Sequence, residues 1–422
     1  MGKIRSKTNF LALERDWFIA SIIPLKDFSV NLKTHLWNTL SGQSIKICYN
    51  INKLAELPFL KKFHFPSLSF KAFSGRPSRV VGIDIGISSS KVVQLKYENE
   101  RAVLETYGEL LNGQYFKGTE GLGGGFLRYL DNDVAALLKD VMKESNIVTK
   151  DAVVAIPATS SFVTTLSFPV IPRKEIEEAI PYEARKYIPI SISEVVLDWE
   201  IFDQQNNEDK VEVLLVAVPR EMIEKLKRIA TLANINLKAL EVETFSLVRS
   251  LVVNDSTPTA IINLGSQSTT ICMVDKGKLK VSHNLSRGSQ ELTNALQRGM
   301  GIDKDRAESI KKDTGLSDKP EEKEITSISS PLVDVLFAEI ERMISMQNRK
   351  TSRKIQKINL TGGGSNLKGI VDYASIKLGL EVTKGNPFSR LVTPAFLQPV
   401  LRELAPSFSV AVGLALHEIS SS

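Results

Sequence analysis

Two widely separated segments of the chain repeat one layout. Val80-Val81-Gly82-Ile83-Asp84-Ile85 is an apolar run of the buried-strand type that ends on a carboxylate. It turns through Gly86 and three serines, then returns as Lys91-Val92-Val93-Gln94-Leu95-Lys96. Ala260-Ile261-Ile262-Asn263-Leu264-Gly265 does the same, with an amide in place of the carboxylate, and returns through Thr270-Ile271-Cys272-Met273-Val274. A chain that places the same strand–turn–strand unit twice is constrained to two related folding units, each with a sheet behind its turn.

The surrounding pattern fits two such halves with a small unit between them. Strand character continues over 104–111 and 153–156, and helical spacing over 132–145. Residues 160–235 read as a compact unit: strand 164–168, helix 173–187, strands 194–202 and 211–218 around the turn at 206–209, and a closing helix 220–233 after Pro219. Beyond the second hairpin come charged helices at 291–300, 304–313 and 332–349, interrupted by a solvated run at 317–324, then a strand at 355–360. The glycine cluster 118–125 reads as a loop. These boundaries give an extension with its linker at 1–79 and a first domain at 80–160, completed by 236–258 and 405–422. An inserted subdomain follows at 161–235 and a second domain at 259–404.

Charge separates the extension from the rest. Residues 1–79 carry thirteen Lys and Arg against four Asp and Glu, a net +9, so the chain's total of +6 leaves the body at −3. The extension is also rich in aromatics, among them Trp17, Phe18, Trp37, Phe63 and Phe70. Interleaved rings and cations suit a membrane surface contacted through residues 1–78, and no nucleic-acid motif accompanies them. The bland reading is a poorly ordered tail. Cys48 and Cys272 stand alone and the four histidines are scattered, so neither a disulfide framework nor a histidine metal site is expected. No run approaches the length of a spanning helix, and the body reads as cytoplasmic.

Phosphate needs several donors converging at close range, and glycine-assisted hairpins supply backbone N–H groups without side-chain bulk. In the first turn Gly86, Ser88, Ser89, Ser90 and Lys91 are the candidates, with Asp84 at the strand end placed to hold Mg²⁺ through water. In the second, Gly265, Ser268, Thr269 and Thr270 would grip phosphates from the other side. A third element, Gly362-Gly363-Gly364-Ser365-Asn366, follows an apolar strand, and its glycines let backbone lie flat against a base or an α-phosphate. Each turn alone is more often an ordinary turn. Their order and separation carry the reading.

Together these segments resemble the two phosphate motifs and the adenosine motif of the actin/Hsp70/sugar-kinase superfamily. The resemblance implies an α/β fold: a duplicated actin/Hsp70-like ATPase with a small inserted α+β subdomain and a basic N-terminal extension. It implies ATP and Mg²⁺ as ligands, with Glu308 and Lys311 of Ala307-Glu308-Ser309-Ile310-Lys311 facing the ribose and base. Within the superfamily, Glu178-Ala179-Ile180-Pro181-Tyr182-Glu183-Ala184-Arg185-Lys186-Tyr187-Ile188-Pro189, together with Glu194-Val195-Val196-Leu197-Asp198-Trp199, is similar to the inserted subdomain of the PilM family of type IV pilus assembly proteins. The cell-division protein FtsA has a related insert. The resemblance covers roughly 80–419. It implies an inner-membrane PilN-like partner whose N-terminal peptide is bound near Tyr182, Arg185, Tyr187 and Ile188, and it allows a homo-oligomer.

Two departures sharpen the expectation. Asn263 stands where the second phosphate turn usually carries Asp, which removes a charge that favours the metal and orients attacking water. Binding without brisk hydrolysis follows, making the chain at most a slow ATPase. The basic extension is the second departure. The readings are therefore a nucleotide-holding scaffold of pilus assembly at the inner face of the plasma membrane, an FtsA-like division protein, and, ranked last, a small-molecule kinase. The kinase would need a carboxylate base that no residue here offers in a distinctive setting.

Overall fold

The computed structural model describes residues 45–50, 68–69, 78–116, 125–202, 210–252, 255–317 and 319–417. Most of the extension, nearly all of the 118–125 loop and the 206–209 turn therefore lie outside the described residues, and so does nearly all of the stretch 1–78 read as a membrane contact.

Two sheets share one topology. The first runs β1 (Ile45–Asn50), β5 (Arg101–Leu111), β4 (Ser89–Glu98), β3 (Arg79–Ile85), β6 (Asp151–Ile156), β10 (Asn236–Val242) and β2 (Leu68–Ser69). The second runs β13 (Lys278–Leu285), β12 (Thr269–Asp275), β11 (Thr259–Leu264), β14 (Lys357–Thr361) and β15 (Glu381–Lys384). In each, an antiparallel triplet joins two further strands in parallel: β5-β4-β3 with β6 and β10, and β13-β12-β11 with β14 and β15. The duplication read from the hairpins is thus a duplication of whole sheets. The matching turns behind the triplets are also alike. Asn99 and Glu100 join β4 to β5, and Lys276 and Gly277 join β12 to β13, all at positive φ as tight hairpins require. Part of the extension pairs with the body, because β1 and β2 lie antiparallel on the two outer strands of the first sheet.

The insert is a three-stranded antiparallel sheet, β7 (Phe162–Pro169), β9 (Lys210–Pro219) and β8 (Val195–Ile201), under α2 (Arg173–Ala184). Its core holds Leu166, Ile176, Ile180, Val213 and Leu215. The other face of β9, with Leu214, Val216 and Val218, joins the core of the first domain. So does α3 (Arg220–Leu232), read from the sequence as the insert's closing helix. Its Met222, Ile223, Leu226 and Ile229 pack with α1 (Asp131–Glu144) in the first domain.

Two short helices connect the halves. α4 (Glu243–Leu251) follows β10, and α10 (Ser409–Ala415) closes the described chain. They meet at Gly413, where a Cβ would lie 2.0 Å from Ser246 O, and α10 rests on β3 at Gly82, where a Cβ would lie 2.1 Å from Ala411 O. Only glycine allows both approaches.

The second domain is completed by α5 (Gln290–Met300), α6 (Lys304–Thr314), α7 (Lys323–Lys350) and α8 (Ile370–Leu378), while α9 (Gln398–Leu404) packs Leu401 and Leu404 into the core of the first domain. Gly301 ends α5 in the left-handed conformation, and the Asp303 carboxylate caps α6 by accepting from Arg306 N–H at 2.8 Å. Val333, Phe337, Ile340 and Ile344 line the buried face of α7 at helical spacing. That helix begins well before the expected 332 and runs through Pro331. A missing N–H and a fixed φ near −65° need not stop a helix whose buried stripe continues on the far side.

Candidate nucleotide site

The first turn is braced from behind. Asn112, just past β5, donates from Nδ2 to Gly86 O at 2.7 Å and accepts at Oδ1 from Ser90 Oγ at 3.1 Å. Its backbone N–H donates to Ser88 O at 2.9 Å. The turn is therefore held by Asn112 from behind, and Ser88 stays exposed at its tip. Ser89 Oγ donates to Glu109 at 2.7 Å, and Lys91 Nζ donates to Ser89 Oγ at 2.8 Å. Ser89, Ser90 and Lys91 are all buried, so they shape the hairpin from within.

Asp84 lies opposite Lys91 in the hairpin register and is buried. Burial raises its carboxyl above the usual range. Lys91 opposes that shift and Glu109 adds to it. Glu243, the first residue of α4, comes close enough to interact with it. Burial first, and Asp84 second, push Glu243 up to about 8, while Ala158 N–H donates to its Oε2 at 3.4 Å. Glu243 was not singled out from the sequence, because it lies in the 236–258 stretch whose helix carries no separate motif.

The second turn is held in the same manner. Gly265 N–H donates to Ser268 O at 2.9 Å. Gly288 sits where a Cβ would be 2.4 Å from Ser266 O, and the N–H groups of Ser289 and Gln290 donate to the Gly265 and Ser266 carbonyls at 3.0 and 2.8 Å. Thr269 Oγ1 donates to Arg287 O at 2.8 Å and Thr270 Oγ1 to Asn284 at 2.9 Å, both from buried positions. Asn263 pairs with Thr361 across the parallel strands.

The third turn meets the second at Gly362. Its φ is +83°, and a Cβ there would lie 2.4 Å from Asn263 Oδ1. Gly364 packs against Leu264 and Ser289, its Cβ site being 2.9 and 3.4 Å from their Cβ atoms. Gly363 differs: it is exposed, its φ is not in the left-handed region, and a Cβ would meet nothing closer than Ser407 Oγ at 3.9 Å. Asn366 is exposed beside it. Among the described residues, none crowds a side chain at 363.

Glu308 and Lys311 are spent on each other and on α5. Lys311 Nζ donates to Glu308 Oε2 at 2.7 Å, to Thr293 Oγ1 at 2.9 Å and to Ser289 O at 3.3 Å. Thr293 Oγ1 also donates to Glu308 Oε2, and Lys312 Nζ lies 3.1 Å from Glu308 Oε1. Lys311, the largest opponent of burial at that carboxyl, holds Glu308 down to about 2. The pair locks α6 onto α5 beside the second turn. Of the four candidate partner residues, Tyr182 and Tyr187 are exposed, and the Arg185 guanidinium lies 5.4 Å from the Tyr182 ring. Ile188 is buried in the insert's own core.

The oxygen-only set of Asp84 and Glu243 suits a hard divalent cation, whose charge would reverse the mutual repulsion that now favours their protonated forms. Among the described residues, no group of three or more His, Cys, Asp or Glu side chains gathers in a ligating arrangement. Any Mg²⁺ here would therefore rely on phosphate oxygens and water for most of its ligands.

Comparison with known proteins narrows the family. A family model described as type IV pilus assembly protein PilM matches residues 82–419. A solved PilM–PilN type IV pilus biogenesis complex superposes with a TM-score of 0.71 at 23% identity, covering 82% of this chain and 99% of that one. The ethanolamine utilization protein EutJ from Carboxydothermus hydrogenoformans superposes with a TM-score of 0.49 at 16% identity, over 81% of this chain and 90% of that one. The cell division protein FtsA of Rhizobium meliloti (strain 1021) is 24% identical over 232 residues, which are 49% of this chain and 51% of that protein. The match thus spans about half the length of that relative.

Proposed function

The chain belongs to the PilM family of type IV pilus assembly proteins, and from that premise we propose that it is an actin-like scaffold which holds ATP with Mg²⁺ and binds an inner-membrane PilN-like protein. The carrying observation is that the second and third turns meet at Gly362, while the first is braced from behind by Asn112 and Gly363 is left exposed. Gly86, Ser88, Gly265, Ser268, Gly363 and Asn366 would meet phosphate and base. Asp84 would orient the metal's water, and the metal would supply charge neutralisation at the phosphates. Asn263 lacks the charge that would favour the metal and orient attacking water, so ATP is held far longer than it is cleaved.

In this reading nucleotide closes the two halves about α4 and α10, and the closed form presents the insert to its partner. The scaffold would work at the cytoplasmic face of the inner membrane. The similarity of the solved PilM–PilN complex supports the choice of partner, and Tyr182, Arg185 and Tyr187 are the surface candidates. The test is calorimetric titration of a synthetic N-terminal peptide of the PilN-like protein into the full chain. Binding weakened about tenfold by Tyr182→Ala with Tyr187→Ala supports the reading. No binding by the parent chain would remove it. The FtsA relative motivates a second reading, membrane-associated assembly in division; co-sedimentation with anionic vesicles that needs residues 1–44 and is indifferent to the peptide would favour it.

A further inference from the structure

β13 touches both the second phosphate turn and the insert. Its register against β12 shifts between Leu279 and Val281, so Lys280 sits at a bulge, and Lys278 and Asn284 lie towards opposite ends of the strand. At one end, Asn284 accepts from Thr270 Oγ1 at 2.9 Å, directly behind the second phosphate turn, and donates from Nδ2 to Ala158 O at 2.9 Å. Ala158 in turn donates its N–H to Glu243. Asn284 thereby ties β13 of the second domain to Ala158 of the first.

At the other end, Lys278 and Lys280 grip the insert. Their Nζ atoms lie 4.5 and 4.7 Å from the centroid of the Phe202 ring. Lys278 pairs with Glu200 at 3.3 Å, and Lys280 pairs with Glu212. Thr165 Oγ1 of β7 donates to Lys280 O. Phe202 is buried, which strengthens its attraction for both cations. Two ammonium groups over one ring repel unless both carboxylates are present, so the five side chains hold or release together. Exposed pairs taken singly would contribute little; a closed set around a desolvated ring contributes more.

We infer that β13 is a coupling strand: Asn284 registers the closed cleft and the Lys278–Lys280–Phe202–Glu200–Glu212 clasp carries that state to the insert. The consequence is that nucleotide affinity depends on residues that touch no nucleotide. This rests on the three turns being a nucleotide site, and the test separates the two ideas. Spin labels at 178 on α2 and 305 on α6, in the full chain with Cys48→Ser, report how the insert sits on the second domain; Cys272 is buried and stays unlabelled. A fluorescent ATP analogue reports the cleft.

Lys278→Glu with Lys280→Glu broadens the label distance distribution and weakens analogue binding about 5–20-fold, within the usual range of site-to-site coupling. Adding Glu200→Lys and Glu212→Lys restores both to within about threefold. The milder Lys278→Gln with Lys280→Gln moves both readouts the same way and guards against misfolding. Unchanged distances and affinity in a folded Lys278→Glu/Lys280→Glu chain, or loss without recovery in the folded fourfold variant, overturn the inference. If the parent chain binds no analogue, the nucleotide reading fails, and the label distances alone still decide whether the clasp exists.

Discussion

Between Asp84 and Glu243 the protein holds two carboxyls whose covering disfavours charge on both. Glu243 titrates near 8 in the fold against about 4.5 when unfolded, so the folded state keeps a proton the unfolded state has lost. Its contribution is therefore lost as pH rises from about 4.5 towards 8. Glu243→Gln removes that dependence. Thermal unfolding should show the variant level with the parent at pH 5 and more stable at pH 8.5, by about 1–2 kcal/mol after allowing for partial solvent access. Parallel profiles would show that the two carboxyls do not interact as described. The glycines offer a second comparison at this scale. Gly362→Ala meets Asn263 at a positive φ and should cost about 1–3 kcal/mol in urea unfolding. Gly363→Ala should stay within about 0.5 kcal/mol of the parent while weakening ATP-analogue binding.

At the scale of elements, the two halves are joined by close helix contacts. Gly413→Ala sets a methyl against Ser246 O in α4, and Gly82→Ala sets one against α10. Each should cost about 1–3 kcal/mol by overpacking, read from the urea midpoint. Elements also show what the sequence discloses. The hairpins at 80–96 and 260–274 are legible because β-branched alternation stops at glycine, and Asp303 with Gly301 marks the α5–α6 boundary. α7 is harder, since Pro331 reads as a break while the buried stripe passes through it. β13 is a strand with a bulge at Lys280, and its Lys278 and Lys280 meet Phe202, Glu200 and Glu212 from a distant segment, which no local pattern encodes. The same holds for α3, whose amphipathic spacing is plain but whose choice of core is a tertiary outcome. Glu243 and Asn284 escaped notice for that reason: their chemistry comes from what the fold brings beside them.

For the whole molecule, two sheets of matching topology each carry a pre-formed turn, and an insert is fastened to the half that carries the second turn. Under the proposed function such an arrangement would serve as a clamp: the pre-formed turns would hold phosphates, the amide at 263 would leave attacking water poorly oriented, and the function would reside in what the closed form binds. Equilibrium titration of the full chain with Mg²⁺ and a fluorescent ATP analogue, combined with phosphate release under saturating ATP, tests this most directly. The account predicts saturable binding that is weakened at least tenfold by Asp84→Ala, with turnover well below about 1 s⁻¹. Absence of binding, or turnover at about 1 s⁻¹ or faster, would contradict it.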